Sequence, residues 1–460
     1  MFDKIIEKQK DEIIHSLCEL IQFKSVSQET NQPDMPFGKP CQEALEYTLN
    51  LAKSFGFRTK NLDGYCGYIE FGEGEELVGI LGHLDVVPAE LQDGWTTDPF
   101  TPTIYDHKLY GRGAIDDKGP VIASLYAMKA LLDSDKKLNK RVRLILGLNE
   151  EKSWKCIKHY QEIGEETPHV GFSPDADFPC IYAEKGILSI RIHQPFSLDN
   201  LEILEIDCQH NALNVVPKYC SITLKFDSEQ ALPSLEKTDK IDFEKLDSHT
   251  LKITAHGISA HAAHPDLGEN AITLLLHYLN HYFPSDFLTK LLEIGLLETT
   301  SPSFLNDTPI QDESGILTSN VGFLGFENSL LEIGLNLRIP VHTALDEIKS
   351  KYTALTNLFP TLKIDFSAQQ EPLFVQKNSH LVTTLTKIFH QKTGLKAEPI
   401  AIGGGTYARA FPNCVAFGAN MPGKQDMCHQ VNEFVDVDDL ILSCKIYANA
   451  IYALATEKEE

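Results

Sequence analysis

No run of eighteen consecutive apolar residues occurs in this 460-residue chain, so no stretch is long enough to cross a bilayer as a helix. Basic residues are outnumbered: 41 Lys and Arg stand against 65 Asp and Glu, a formal net charge of −24. Nucleic-acid and anionic-membrane partners need basic patches, so neither is expected. The ten cysteines are scattered and form no CxxC pair. The opening "MFDKIIEKQKDEIIHSLCELI" lacks the cationic start and apolar centre of a signal peptide. It reads instead as an amphipathic helix, with Ile6, Ile13, Leu17, Leu20 and Ile21 at helical spacing. Without an export signal the cysteines read as reduced thiols, and the expected compartment is cytoplasmic.

What is present is ordinary globular material, 42% hydrophobic and 23% charged. At this length one core usually splits, so two domains are expected. From Leu77 to Glu184 apolar strands alternate with helical stretches: "LVGILGHLDVVP", "DDKGPVIASLYAMKALLDS", "RVRLILGLNEE", "KSWKCIKHYQEIG" and "HVGFSPDADFP". That order predicts an α/β fold, a mainly parallel sheet with helices on both faces. After Glu184 the strands alternate in hydrophobicity ("GILSIRIHQP", "YCSITLKFDSE", "HTLKITAHGIS", "LLEIGLNLRIP") and mix with helices such as "ENAITLLLHYLNHYF" and a charged stretch at 227–248. After about residue 380 the first texture returns. The expected organisation is a discontinuous α/β domain, 1–184 and 379–460, interrupted by an inserted α+β domain over 185–378.

Ligands of open α/β sheets bind beyond the carboxyl ends of the strands, and acids and histidines gather there. "GHLDVVP" carries His83 and Asp85, two apart, so on an extended chain they point the same way. "GRGAIDDKGP" carries Asp116 and Asp117, "LNEEK" carries Glu150 and Glu151, "SPDADFP" carries Asp175 and Asp177, and "CHQVNE" carries His429. Each has an ordinary explanation. A strand-end histidine is commonly a polar loop residue, and acids ahead of a helix favour its dipole. Together, however, these accumulations would repel one another unless cations lay between them. Composition alone leaves both readings standing.

In this order the five motifs resemble the co-catalytic metallopeptidase family that contains carboxypeptidase G, aminoacylase and the carnosinases, and within it the bacterial peptidase V-like dipeptidases. The resemblance spans about residues 10–455. In the insert, "LNVVP" (213–217), "GISAHAAHPDLGENA" (257–271), "GILTSNVG" (315–322) and "LNLRIP" (335–340) are similar to lid motifs, and "GGGTYAR" (403–409) to a substrate-carboxylate loop.

The resemblance implies two divalent metal ions per chain, Zn²⁺ first and Mn²⁺ as the alternative. His83 and Asp175 would hold one, Glu151 and His429 the other, and Asp116 would bridge them through a cis peptide to Asp117. Asp177 is the fallback for Asp175. Asp85 would orient His83, and Glu150 would be the general base toward a water activated by the cations. The charge sum agrees, since Asp116, Glu151 and Asp175 with one hydroxide offset two divalent cations. His261 would hydrogen-bond the developing oxyanion. Asn214 and Arg338, with Gly404, Thr406 and Arg409, would hold the substrate backbone and its carboxylate. Lys152, beside the Glu pair, would raise the local positive potential. The implied activity is hydrolysis of unblocked dipeptides. An N-acyl amino acid deacylase on the same site and a non-catalytic binding protein are the alternatives. An insert of this length implies a monomer that closes its own site.

Overall fold

The structure is a computed structural model and describes residues 1–209, 212–226 and 233–456. Two compact units divide them: 1–182 with 375–400 and 406–460, and 183–374 with 401–405.

The first unit is built on a mixed sheet. Its order runs Arg58–Leu62, Cys66–Phe71, Arg141–Gly147, Leu77–His83, Val170–Ser173, Cys414–Ala416. The last four of these strands are mutually parallel, whereas the first two pair antiparallel. Every residue of Leu77–His83 is buried, as expected of a strand covered on both faces. Helices Lys39–Ser54 and Lys155–Glu162 pack on strand Cys66–Phe71, and Lys118–Leu132 and Val437–Thr456 on Leu77–His83. The sequence predicts one apolar face for Lys118–Leu132, yet almost all of that helix is buried. It is enclosed by the sheet, by Val437–Thr456 and by Lys10–Ile21, and only its C-terminal end, at Lys129 and Leu132, reaches water. The expected N-terminal helix is two, Phe2–Lys8 and Lys10–Ile21, parted at Gln9 (φ −94°, ψ 3°).

Register positions the chemistry. His83 lies opposite Gly147 in the parallel pairing, and the Leu84 N–H donates to Gly147 O at 2.9 Å. "GHLD" and "NEE" therefore leave the sheet side by side. A separate three-stranded sheet, Thr103–Tyr105, Lys108–Tyr110 and Phe434–Asp436, brings loop 111–116 against segment 429–433. His107 sits in the turn of its hairpin, with Asp106 and His107 both at positive φ (49° and 58°).

The second unit has two antiparallel four-stranded sheets. One runs Thr318–Glu327, Leu330–Ile339, Gly186–Pro195, Lys363–Gln370, and the other Leu201–Asp207, Tyr219–Phe226, Thr250–His256, Ile241–Lys245. Helices Ala271–Tyr282, Asp286–Glu293 and Leu345–Ala354 complete one core that includes Leu188, Ile222, Leu275, Leu335 and Ile348. The charged stretch 227–248 contains the edge strand Ile241–Lys245, where charges suit an edge; residues 227–232 lie outside the described residues.

Candidate active site

His83 ends its strand fully buried. Its Nε2 finds no hydrogen-bond partner and lies 3.1 Å from Asp116 Oδ1 and 3.6 Å from Asp175 Oδ2. Asp116 turns its other oxygen, Oδ2, to His429 Nε2 at 2.9 Å. Glu151 approaches the same His429 Nε2 at 3.0 Å (Oε2) and 3.2 Å (Oε1). Asp116 thus stands between two imidazoles. Ligand atoms of His83, Asp116 and Glu151 lie within 4.8 Å of one another, as do those of His83, Glu150 and Asp175. An orphaned imidazole nitrogen ringed by carboxylate oxygens fits a divalent cation that accepts both donor types.

The peptide Asp116–Asp117 is cis. Asp117 occupies the N-cap position of helix Lys118–Leu132, but its carboxylate turns away from the helix and accepts the His83 N–H at 2.9 Å. Gly82 makes this possible: a Cβ there would meet Asp117 Oδ2 and Val121 Cγ2, both at 2.6 Å. Asp85 acts in two parts. Its main-chain carbonyl lies 2.9 Å from His83 Nδ1, while its carboxylate, 3.6 Å from that nitrogen, accepts the N–H groups of Glu150 (3.0 Å) and Glu151 (3.2 Å). Asp177 turns to Asn420, whose strand pairs with its own, and only Asp175 of that loop reaches His83. Lys152 Nζ donates to Ser27 O.

The electrostatics ask for positive charge. Burial lowers the His83 imidazole, but Asp175, Asp116 and Asp85 outweigh it and leave it well above its ordinary value. Hydrogen bonds to Asp116 and Glu151 push His429 up to about 11. Burial raises Asp116, yet the two imidazoles hold it well below the carboxylate range. Burial drives Asp175 up to about 6, and Glu150 well above its ordinary value. The acids bind positive charge at both imidazoles, and a proton or a divalent cation answers that demand.

In the second unit, Val215 pairs with His261, and the Ala262 N–H donates to Asn214 O at 2.9 Å. Buried Arg338 is held by Nε to Asn336 Oδ1 (2.9 Å) and by Nη1 to Gly403 O (3.1 Å). Gly403 lies so close to Ala263 that a Cβ would be 2.8 Å from the alanine methyl. Asn214, His261, Arg338 and the glycines up to Gly404 therefore share one neighbourhood. Thr406 and Arg409 belong to the first unit, where Thr406 Oγ1 accepts the Ala408 N–H and caps a short helix, Tyr407–Ala410. A third His/acid group, Asp312, Glu313 and His342, lies toward the surface, and Asp312 already accepts from Ser314 and from the His342 N–H.

Residues 79–453 match the sequence profile of Peptidase family M20/M25/M40. The chain belongs to this family. It is a metallopeptidase, a hydrolase acting on peptide bonds. A Bacillus subtilis protein that bears the name of a dipeptidase (YtjP) is 37% identical over 97% of this chain and 98% of its own length. A dipeptidase-named protein of Staphylococcus epidermidis is 34% identical over 99% of both. Among solved structures, human carnosine dipeptidase 1 superposes with a TM-score of 0.59 at 16% identity, covering 99% of this chain and 98% of that one. The aminoacylhistidine dipeptidase of Vibrio alginolyticus gives 0.56 at 15% identity, over 96% and 97%. These two likenesses establish the shared fold.

Three residues of this M20 peptidase that support the site lie within the quoted motifs but were given no role there. Buried Asn149 staples the turn that carries the Glu pair: Nδ2 donates to Ser27 Oγ (2.8 Å), and Oδ1 accepts from Ser153 Oγ (2.6 Å) and the Lys155 N–H (3.3 Å). Tyr407 fills the space that a Cβ on Gly147 would take, and its hydroxyl meets Cys156 Sγ at 3.1 Å. Asn320 Nδ2 donates to both Leu213 O and Val215 O at 2.8 Å, gripping the backbone on either side of Asn214. The signal for Asn149 was its place against "EE"; Tyr407 and Asn320 act through contacts distant in sequence.

Proposed function

We propose that the chain is a metal-dependent dipeptidase that cleaves unblocked dipeptides at a centre of two divalent cations, with Glu150 as general base. One observation carries the metal reading: the buried, unpartnered His83 Nε2 faces Asp116 and Asp175, while Asp116 faces His429 on its other side. The ligand assignment follows, with His83 and Asp175 at one end, Glu151 and His429 at the other, and Asp116 between. Dipeptides as substrate are favoured because relatives matched over nearly their whole length bear dipeptidase names. Imidazole with carboxylate suits Zn²⁺ and also Mn²⁺.

Bound cations would supply a water of lowered pKa and a polarised carbonyl. The chain does the rest. Glu150, half-buried and raised in proton affinity by desolvation, takes the proton from the attacking water and returns it to the leaving amine. Asp85 fixes the backbone of Glu150 and Glu151 so that neighbours divide the tasks of base and ligand. His261 Nδ1 accepts the Ala263 N–H at 3.2 Å, so in the neutral ring the proton sits on Nε2, ready to donate to the developing oxyanion. Burial and the charges of Arg338 and His264 lower the His261 pKa and favour that neutral form. Arg338, with its fork already oriented, receives the substrate carboxylate together with Gly404 of the same unit, and Asn214 holds the substrate backbone.

The test is hydrolysis by metal-reconstituted protein of free dipeptides, a tripeptide and N-acetyl amino acids. Dipeptides should turn over, and chelation should abolish it. Preference for the N-acetyl compounds would overturn the substrate class. Glu150→Gln should keep both metals and lose about 10²–10⁴ in kcat; full activity in that variant would sink the base assignment.

A further inference from the structure

Glu433, four residues beyond His429, is fully buried. Arg112 Nη1 donates to its Oε2 at 2.6 Å. The N–H groups of Ile115 (2.9 Å) and Asp116 (3.2 Å) donate to its Oε1, and that of Gly113 is shared by both oxygens at 3.0 and 3.1 Å. Its own main-chain carbonyl accepts the Gly111 N–H at 3.0 Å. The pairing of Phe434–Asp436 with Lys108–Tyr110 delivers it to this loop. Arg112 is itself buried, with its guanidinium 5.2 Å from the Trp95 ring centre.

All these donors belong to one loop, 111–116, whose end is Asp116. Glu433 itself belongs to the segment that carries His429. Apolar residues could join two loops at less desolvation cost than a buried ion pair. What a carboxylate adds is direction. Its bonds fix the orientation of the peptide N–H at Gly113, Ile115 and Asp116, and with it where the Asp116 side chain starts. Asp116 must present one oxygen toward His83 and the other toward His429, so a small rotation of its peptide would move both.

We propose that Glu433 is a positioning residue of the metal centre, locking the loop of the bridging carboxylate and the segment of His429 into one register. The inference rests on the metal-centre reading above. Glu433 faces backbone and guanidinium, so it acts through Asp116 and His429.

The experiment measures Zn²⁺ affinity of the full chain by chelator competition, together with the rise in Tm that Zn²⁺ produces. Glu433→Gln keeps the shape but sets an NH₂ donor among donors. Its Zn²⁺ affinity should fall about 10- to 100-fold, the Zn²⁺-induced rise in Tm should shrink, and part of the lost turnover should return at saturating Zn²⁺. A purely structural role would lower Tm equally with and without Zn²⁺ and leave affinity unchanged, which overturns the proposal. If Glu433→Gln does not fold, Arg112→Lys, which keeps the charge but loses the planar fork, carries the test: weakened Zn²⁺ affinity supports the proposal and unchanged affinity overturns it. His429→Ala separates the two readings. Wild-type Zn²⁺ binding by His429→Ala would mean that the metal-centre reading has failed. Loss of metal by His429→Ala with wild-type affinity in Glu433→Gln would sink the Glu433 assignment alone.

Discussion

Exchanging Asp85 for Asn removes one acceptor from a buried pair of hydrogen bonds. The carboxylate accepts from Glu150 N at 3.0 Å and from Glu151 N at 3.2 Å, with no exposure to solvent. Asn offers one carbonyl oxygen and one NH₂, so one of the two backbone N–H groups meets a donor. A buried N–H without an acceptor costs about 1–3 kcal/mol. At about 1.4 kcal/mol per factor of ten, that is roughly 5- to 150-fold in whatever depends on the placement of the Glu pair. The His83 ring is spared, because Nδ1 is bonded to the main-chain carbonyl of Asp85. Asp85→Asn should therefore lower kcat about 10- to 100-fold and weaken the metal held through Glu151. In a His429→Ala background only the His83 end keeps its imidazole, and there the same change should leave Zn²⁺ affinity within about twofold. The assay is dipeptide hydrolysis during stepwise Zn²⁺ titration, with bound metal counted at each step. A large loss of affinity in the His429→Ala background would refute the reasoning and make the Asp85 carboxylate the partner that orients His83.

Other expectations follow from single contacts. Glu151→Ala strips His429 Nε2 of its 3.0 and 3.2 Å contacts and should leave about one metal per chain by elemental analysis, whereas Glu150→Gln leaves two. Gly82→Ala would drive a methyl against Asp117 Oδ2 and Val121, and should cost about 1–3 kcal/mol in denaturant melts; an unchanged midpoint would contradict the packing. Lys118 is buried with Nζ donating to Phe23 O at 2.7 Å, and burial pushes its amine down to about 7. Unfolded lysine titrates near 10.4, so between these values the unfolded chain binds more protons and stability rises with pH. Lys118→Met should be the more stable protein at neutral pH and lose that part of the rise, as read from melts near neutrality and at roughly pH 9.

The convergence of the acidic loops was legible because it needs only two local facts. Each loop follows an apolar strand, and neighbouring parallel strands end at the same edge, here with His83 opposite Gly147. Four strands of the insert were legible in the same way, from period two, whereas Leu201–Asp207, Ile241–Lys245 and Lys363–Gln370, which bury few of their residues, were not, and Thr318–Glu327 was read only in part, within a lid motif. Burial of nearly all of Lys118–Leu132 was not legible, since the layer that covers its outer side comes from both ends of the chain, Lys10–Ile21 and Val437–Thr456. Side-chain partners were less legible still. Spacing by two sets His83 and Asp85 on one side of an extended strand, but beyond His83 the chain turns, and the carboxylate swings to Glu150 and Glu151 while the carbonyl takes the ring. Lys152 beside two glutamates suggests local charge, yet its ammonium goes to Ser27 O.

The choice between Asp175 and Asp177 shows where local pattern ends. The two acids are separated by one residue in the same motif, with nothing in their own segment to rank them. The ranking comes from residues more than two hundred positions away: Ala419–Asn420 pairs with Ala176–Asp177, draws the second acid onto Asn420, and leaves the first facing His83. The same logic governs His429, which reaches Asp116 only because Phe434–Asp436 adds a third strand to the hairpin that precedes loop 111–116. Clustered acids announce that positive charge must arrive, whereas which imidazole each acid faces is set by long-range strand pairing. Changes at those pairings should therefore disturb metal binding without touching any ligand.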